Sequence, residues 1–149
     1  MKNLKDITKL REETGAGVID CKKALEECSG DYSKAKDWLR EKGAKVALKK
    51  ADRKTNAGLV EAYTHMGGRV AALVKLSCET DFVARNKEFK NLAHELAMQV
   101  AAMKPKTVQA LLKQQYIRDP NMTVKQLIEE KIGKLNENIK VEETCFLEI

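Results

Sequence analysis

Apolar residues recur along this chain with a helical period, switch once to a strand period, return to the helical one and end on a strand. Leu4, Ile7 and Leu10 fall about a turn apart after Asn3, a good N-cap, and Gly15 and Gly17 close that first helix. Val18, Cys21, Ala24, Leu25 and Cys28 line one side of a second helix, which Ser29-Gly30 stops. Asp31 caps a third, with Tyr32, Ala35, Trp38 and Leu39 facing inward and Lys34, Lys36, Arg40 and Lys42 in water. Through Gly43 to Lys54 the helical pattern continues less regularly and lysines dominate, so this stretch reads as a basic linker that can stay helical, with solvated side chains.

Beyond Asn56 the period becomes two. Leu59 to His65 and Arg69 to Ser77 flank Met66-Gly67-Gly68, which predicts a hairpin with a primed turn. On the second strand Val70, Ala72, Val74, Leu76 and Cys78 share the face that meets the helices, while Leu73, Lys75 and Ser77 look half exposed. A helix follows from about Asn86 to Met103, with Phe89, Leu92, Ala93, Leu96, Ala97 and Val100 on its stripe, until Lys104-Pro105 ends it. Thr107 opens a short helix holding Val108, Leu111 and Leu112, which Arg118-Asp119-Pro120-Asn121 breaks. Thr123 and Gln126 have the spacing of a capping box ahead of Val124, Leu127, Ile128, Ile132 and Leu135. Ile139, Val141, Cys145, Leu147 and Ile149 alternate as a strand that returns to the hairpin, because a lone hairpin is marginal in water. The expected fold is α+β: a three-helix bundle with its basic linker in residues 1 to 54, then a core in residues 55 to 149 with a three-stranded antiparallel sheet packed by helices.

Composition narrows the function more than the fold. The longest apolar run, Val70 to Val74, is far too short to span a bilayer, and the first six residues lack a signal peptide's apolar stretch, so a cytoplasmic protein without membrane contact is expected. The four cysteines, Cys21, Cys28, Cys78 and Cys145, form no Cys-x-x-Cys pair, and no histidine stands at ligand spacing beside them. No metal site is expected. Glycine-rich phosphate loops, dinucleotide fingerprints and nucleophile elbows are likewise missing, so no cofactor is expected. His65 and His94 have no nucleophile in their sequence context, and Glu79 and Asp81 fall on opposite sides of an extended chain across Thr80. Catalysis is not supported.

The formal charge of +6 is uneven, with +5 in residues 1 to 54 and +1 in the rest. That asymmetry invites a nucleic-acid or acidic-partner reading of the N-terminal part. Against nucleic acid, Lys22 and Lys23 are interrupted by Asp20, Glu26 and Glu27, and no aromatic platform accompanies them. An interaction protein is the better reading, with a basic nucleic-acid-binding adaptor as the alternative. In Cys78 to Asn86 an acid stands beside a large aromatic in a connection. Taken on its residues, this stretch is best explained by Phe82 tucked under the sheet and Asp81 capping a turn.

Three motifs are more specific: Thr14-Gly15-Ala16-Gly17-Val18-Ile19-Asp20-Cys21-Lys22-Lys23-Ala24-Leu25, Asp37-Trp38-Leu39-Arg40-Glu41-Lys42-Gly43, and Cys78-Glu79-Thr80-Asp81-Phe82-Val83-Ala84-Arg85-Asn86. In order and spacing the chain resembles, over essentially its whole length, the bacterial elongation factor Ts family, guanine-nucleotide exchange factors of elongation factor Tu. The resemblance implies a ubiquitin-associated-like N-terminal bundle. It also implies that Thr80, Asp81, Phe82 and Val83 dock near the partner's magnesium and phosphate site, with Phe82 as the wedge and Asp81 as its polar companion. A second contact through Gly15, Ala16, Gly17, Val18, Lys22 and Lys23 is implied, to both GDP-bound and nucleotide-free elongation factor Tu. Longer members duplicate the core and insert a coiled-coil hairpin, for which this chain has no room; short members pair two copies, so a homodimer is expected.

Overall fold

The computed structural model describes residues 4–149, and Asn3, expected to cap the first helix, lies outside them. Helix α1 (Leu4–Thr14) ends where Gly15, at φ +69°, donates its N–H to the Arg11 carbonyl, and α2 (Val18–Glu27) ends through Ser29 and Gly30, both at positive φ. Asp31 accepts from the Lys34 N–H at 3.0 Å and starts α3 (Tyr32–Lys50). Leu10, Cys21, Ala24, Leu25, Ala35 and Leu39 form a buried cluster among these three helices.

The helical pattern does run on through Gly43, into the stretch expected as a basic linker. Helix α3 continues to Lys50, and its second half carries Val46 and Ala47 into a larger apolar cluster. The reason is a close crossing: a Cβ placed on Gly133 would lie only 3.6 Å from the Cα of Gly43. Two glycines let the helix backbones approach, so packing outweighs glycine's poor helix propensity of about 1 kcal/mol. Solvation of the basic positions is also less complete than expected. Lys50 is buried, and the Arg40 side chain is largely covered, with its Nε unpaired.

Strands β1 (Ala57–His65) and β2 (Val70–Cys78) form the expected hairpin, but a 3-10 turn at Met66–Gly68, with three successive positive φ values, joins them. A one-turn helix α4 (Asp81–Ala84) and the long α5 (Lys87–Met103) follow, then α6 (Val108–Lys113), α7 (Val124–Leu135) and the last strand, β5 (Ile139–Glu148), with two short strands, β3 (Gln115–Tyr116) and β4 (Asp119–Thr123), between α6 and α7. The sheet is antiparallel in the order β1-β2-β5, as expected for an α+β core. Ala72, Val74, Leu76 and Cys78 on its inner face meet Phe89, Leu92, Leu96 and Val100 of α5, with α7 supplying Val124, Ile128 and Ile132. The capping box is present in full: Thr123 accepts from the Gln126 N–H, and the Gln126 side chain accepts from the Thr123 N–H.

Three local expectations are corrected. The segment expected only to break α6 folds instead as the β3-β4 hairpin, pinned by buried Gln99, whose amide donates to the Gln115 carbonyl at 3.1 Å and accepts from the Ile117 N–H at 3.0 Å. The register between β2 and β5 shifts at Lys75/Leu76, where Glu142 is the extra residue. That bulge reverses the parity of β5, so Phe146 packs on the core while Cys145 and Leu147 face out. Ser77 is buried rather than half exposed, because its hydroxyl donates to Glu142 Oε1 at 2.6 Å.

Candidate functional site

Strand β2 loses its neighbours at Cys78, which pairs with Ala57 on one side and Ile139 on the other. The chain must therefore satisfy the next backbone groups in another way. The carboxylate of Glu137, in the turn between α7 and β5, accepts the Glu79 and Thr80 N–H groups on Oε2, both at 3.0 Å, and the Thr80 hydroxyl on Oε1 at 2.6 Å. Glu79 reciprocates by accepting the Asn138 N–H at 2.8 Å, and Arg53 lies 3.6 Å from the same oxygen. The Asn138 amide in turn donates to the carbonyls of Ala51 and Arg53, beyond the end of α3.

On this mount Thr80 caps α4, its hydroxyl accepting from the Val83 N–H at 3.3 Å. A single helical turn sends neighbouring residues to different sides. Val83 and Ala84 are buried in the main core, while Phe82 is 83% exposed and Asp81 is exposed, its carboxylate without a hydrogen bond or ion pair among the described residues although its carbonyl accepts the Arg85 N–H. The expectation that Phe82 tucks under the sheet is overturned, and it is Thr80, not Asp81, that caps the turn. Val83, expected to touch a partner, sits beneath the tip and holds it down. Immediately after the tip, Asn86 caps α5, and Glu88 joins that helix to Lys131 and Lys134 of α7 at 3.0 and 3.1 Å. Those two lysines hold the Glu88 carboxyl below its ordinary range. Burial, with the charge of Glu137 adding to it, pushes the Cys78 thiol up to about 11, which makes it a poor nucleophile.

The residues expected to form a second contact lie together at the start of α2. Gly17, Val18, Lys22 and Lys23 are exposed, while Gly15 and Ala16 are half-buried and line a cavity of about 350 Å³ against Lys134 and Glu130 of α7. Ile19, 71% exposed, belongs to this surface and was missed; its signal was an apolar residue off the buried stripe of Cys21, Ala24 and Leu25. Glu137 carried no sequence signal at all, since its partners are more than fifty residues away.

Other chemistry is accounted for by ordinary contacts. His65 Nδ1 lies 3.1 Å from the Tyr63 hydroxyl and His94 Nδ1 lies 3.3 Å from Glu61. Among the described residues no group of three His, Cys, Asp or Glu could hold a metal ion, and no helix is long and apolar enough to cross a membrane. Much of the basic charge of the bundle is spent on neighbours: Lys36 on Glu13, Lys42 on Asp20, and Arg40 on Asp37 and Asp119.

Comparison with known proteins gives first a class: this is a protein of translation elongation. A family model described as elongation factor TS matches residues 79–149, from the tip to the last strand. Relatives named elongation factor Ts include that of Thermoanaerobacter sp. (strain X514), 43% identical over 91% of this chain and 88% of its own length, and that of Oleidesulfovibrio alaskensis, 38% identical over 96% and 95%. That of Nostoc sp. (strain PCC 7120) is 50% identical over 91% of this chain but only 42% of its own length. The chain belongs to the elongation factor Ts family. Its alignment with the Thermoanaerobacter protein runs over 180 positions, more than the 149 residues present, so that relative carries residues within the matched region that this chain lacks.

Proposed function

We propose that this protein is a guanine-nucleotide exchange factor for elongation factor Tu, promoting GDP release by docking Asp81 and Phe82 beside the magnesium and phosphate site of the partner's G domain. The observation that carries the reading is Phe82, a large aromatic held 83% exposed on a one-turn helix whose buried side is fixed in the core. An exposed aromatic on a rigid mount is costly in water and well suited to fill a partner's apolar pocket, where such anchors contribute about 2 kcal/mol or more. The driving force is linkage. A factor that binds the opened, nucleotide-free partner more tightly than the GDP-bound one weakens GDP binding by the same ratio. No covalent step is needed, and the Asp81 carboxylate, free of internal partners, is available to a polar group near the displaced magnesium.

Residues 1 to 54 and 55 to 149 act as two contact-bearing units in this reading. The exposed run Val18, Ile19, Lys22 and Lys23 gives the bundle a second hold, and two holds on one partner raise the effective concentration of the tip. A homodimer in the cytoplasm completes the reading. Val60, Leu73 and Leu147 are exposed apolar residues contributed by all three strands, an area that a second copy could cover. The test is stopped-flow release of labelled GDP from elongation factor Tu. Wild-type protein is expected to accelerate release and Phe82→Ala to lose most of that acceleration; equal acceleration by both would overturn the wedge.

A further inference from the structure

Phe82 makes little contact with its own protein, so its direction is set by the backbone of α4 and not by side-chain packing. That backbone is fixed from below by Val83 and Ala84, and at its entry by hydrogen bonds that converge on one side chain. We propose that Glu137 is the positioning residue of the tip: by accepting the Glu79 and Thr80 N–H groups and the Thr80 hydroxyl, its carboxylate sets the pose in which Phe82 meets its partner.

The chain of contacts runs in one direction. Glu137 accepts the hydrogen bond donated by the Thr80 hydroxyl, which leaves a lone pair of that oxygen for the Val83 N–H, so the carboxylate fixes the rotamer that caps α4. Asn136, in the left-handed conformation at the end of α7, turns the chain so that Glu137 reaches back to β2. Asn138 extends the junction to the carbonyls of Ala51 and Arg53, while Arg53 meets Glu79. The tip, the turn before β5 and the segment that leads out of the N-terminal helices therefore meet at one carboxylate-centred node.

The role is positional rather than a matter of holding the fold together. Thr80 is exposed and Glu79 is half-buried, so water can replace the carboxylate on the released N–H groups and the loss to global stability is small. Pose is more sensitive, because a misplacement on the order of 1 Å can cost about a hundredfold where an interaction depends on orientation. The inference rests on the exchange reading of Phe82, and a double-mutant cycle separates the two. GDP release from elongation factor Tu is measured at saturating factor for Phe82→Ala, Glu137→Ala, Glu137→Gln and the double alanine variant, with thermal melting and amide hydrogen exchange on each free protein.

Glu137→Ala is expected to slow saturated release about tenfold and to add nothing in the Phe82→Ala background, since it acts through Phe82. Glu137→Gln is expected to restore most of the rate, because its amide oxygen accepts the two N–H groups and its NH₂ can donate to the Thr80 hydroxyl. The Glu79 and Thr80 amides are expected to exchange faster in Glu137→Ala while the amides of β2 and β5 stay protected. If Phe82→Ala slows release and Glu137→Ala does not, or if the two effects simply add, the positioning role is overturned and the wedge stands. If Phe82→Ala releases GDP at the wild-type rate, the exchange reading falls first and the positioning role falls with it. Should Glu137→Ala melt below the assay temperature, Glu137→Asp, one methylene too short but still charged, carries the same cycle.

Discussion

Phe82 at the tip and Phe89 on the helix that follows it give opposite stability predictions from a single quantity. Phe82 is 83% exposed, whereas Phe89, seven residues on, is wholly buried against the sheet. Full burial of a phenylalanine side chain contributes about 1.5–3 kcal/mol, so the sixth of Phe82 already covered accounts for roughly 0.3–0.5 kcal/mol. Phe82→Ala is therefore expected to lower the melting temperature by only about 1–2 °C, at the about 2–4 °C per kcal/mol typical of a chain this long. Phe89→Ala removes transfer energy and leaves a cavity, a loss of about 3–5 kcal/mol and a fall of roughly 6–20 °C. The part of Phe82 still in water is what a partner can use. Covering it adds up to about 1.5–2.5 kcal/mol, so Phe82→Ala should weaken binding to nucleotide-free elongation factor Tu by about 10- to 60-fold. Circular dichroism melts and a titration against the nucleotide-free partner check both halves. A loss of stability for Phe82→Ala approaching half that of Phe89→Ala would mean that the ring packs on its own protein in solution, and the docking argument would fail.

Two further substitutions probe the frame that carries the tip. At Gly58 φ is +151°, and an added Cβ would stand 2.1 Å from the Leu76 carbonyl oxygen and 2.8 Å from the Ser77 Cα, both backbone atoms of the paired strand. Gly58→Ala is expected to cost at least about 3 kcal/mol through strain and overpacking together, and a denaturant midpoint within about 1 kcal/mol of wild type would refute this. Glu130 has its carboxyl pushed above the usual 4.5 by burial, only partly opposed by Lys131, Arg40, Lys36 and Lys134. A raised folded-state value means that this group's contribution is fully present below pH 4.5 and lost as pH rises through the folded value. Glu130→Gln should accordingly be more stable than wild type at pH 7, with the advantage vanishing toward pH 4; urea midpoints that show an undiminished advantage at pH 4 would contradict it.

What could be read from the residues was what repeats. The stripes of α2, α5 and α7 and the alternation of β1 and β2 extend over enough residues for the period to be unambiguous, and the resulting elements sit where the pattern places them. Where one residue interrupts a period, local reasoning failed for a definite cause each time. The stretch after Gly43 reads as a solvated basic linker because nothing nearby shows that Gly133, ninety residues on, will close against that glycine and draw the helix into the core. Glu142 is an ordinary strand residue until pairing with β2 makes it a bulge, after which Cys145 and Leu147 change sides. Pro120 reads as a breaker, but it lies in a short hairpin whose other strand and turn are held by Gln99 of α5.

The tip combines both kinds of information, and that explains why its residues alone pointed the wrong way. A stretch of four helical residues has no period, so nothing in Asp81-Phe82-Val83-Ala84 says which pair faces the core. Burying the aromatic is the safer guess on transfer energy alone, by about 1.5–3 kcal/mol. The structure takes the other choice, with Val83 and Ala84 inward, and the capping direction is fixed by Thr80, whose hydroxyl is oriented by Glu137 from 57 positions along the chain. An arrangement that leaves a phenylalanine in water while spending a carboxylate to hold it there is unfavourable for the isolated protein. It becomes favourable once a second protein covers the ring. The rigidity of the mount matters as much as the exposure, because a ring presented in one pose loses little further freedom on binding.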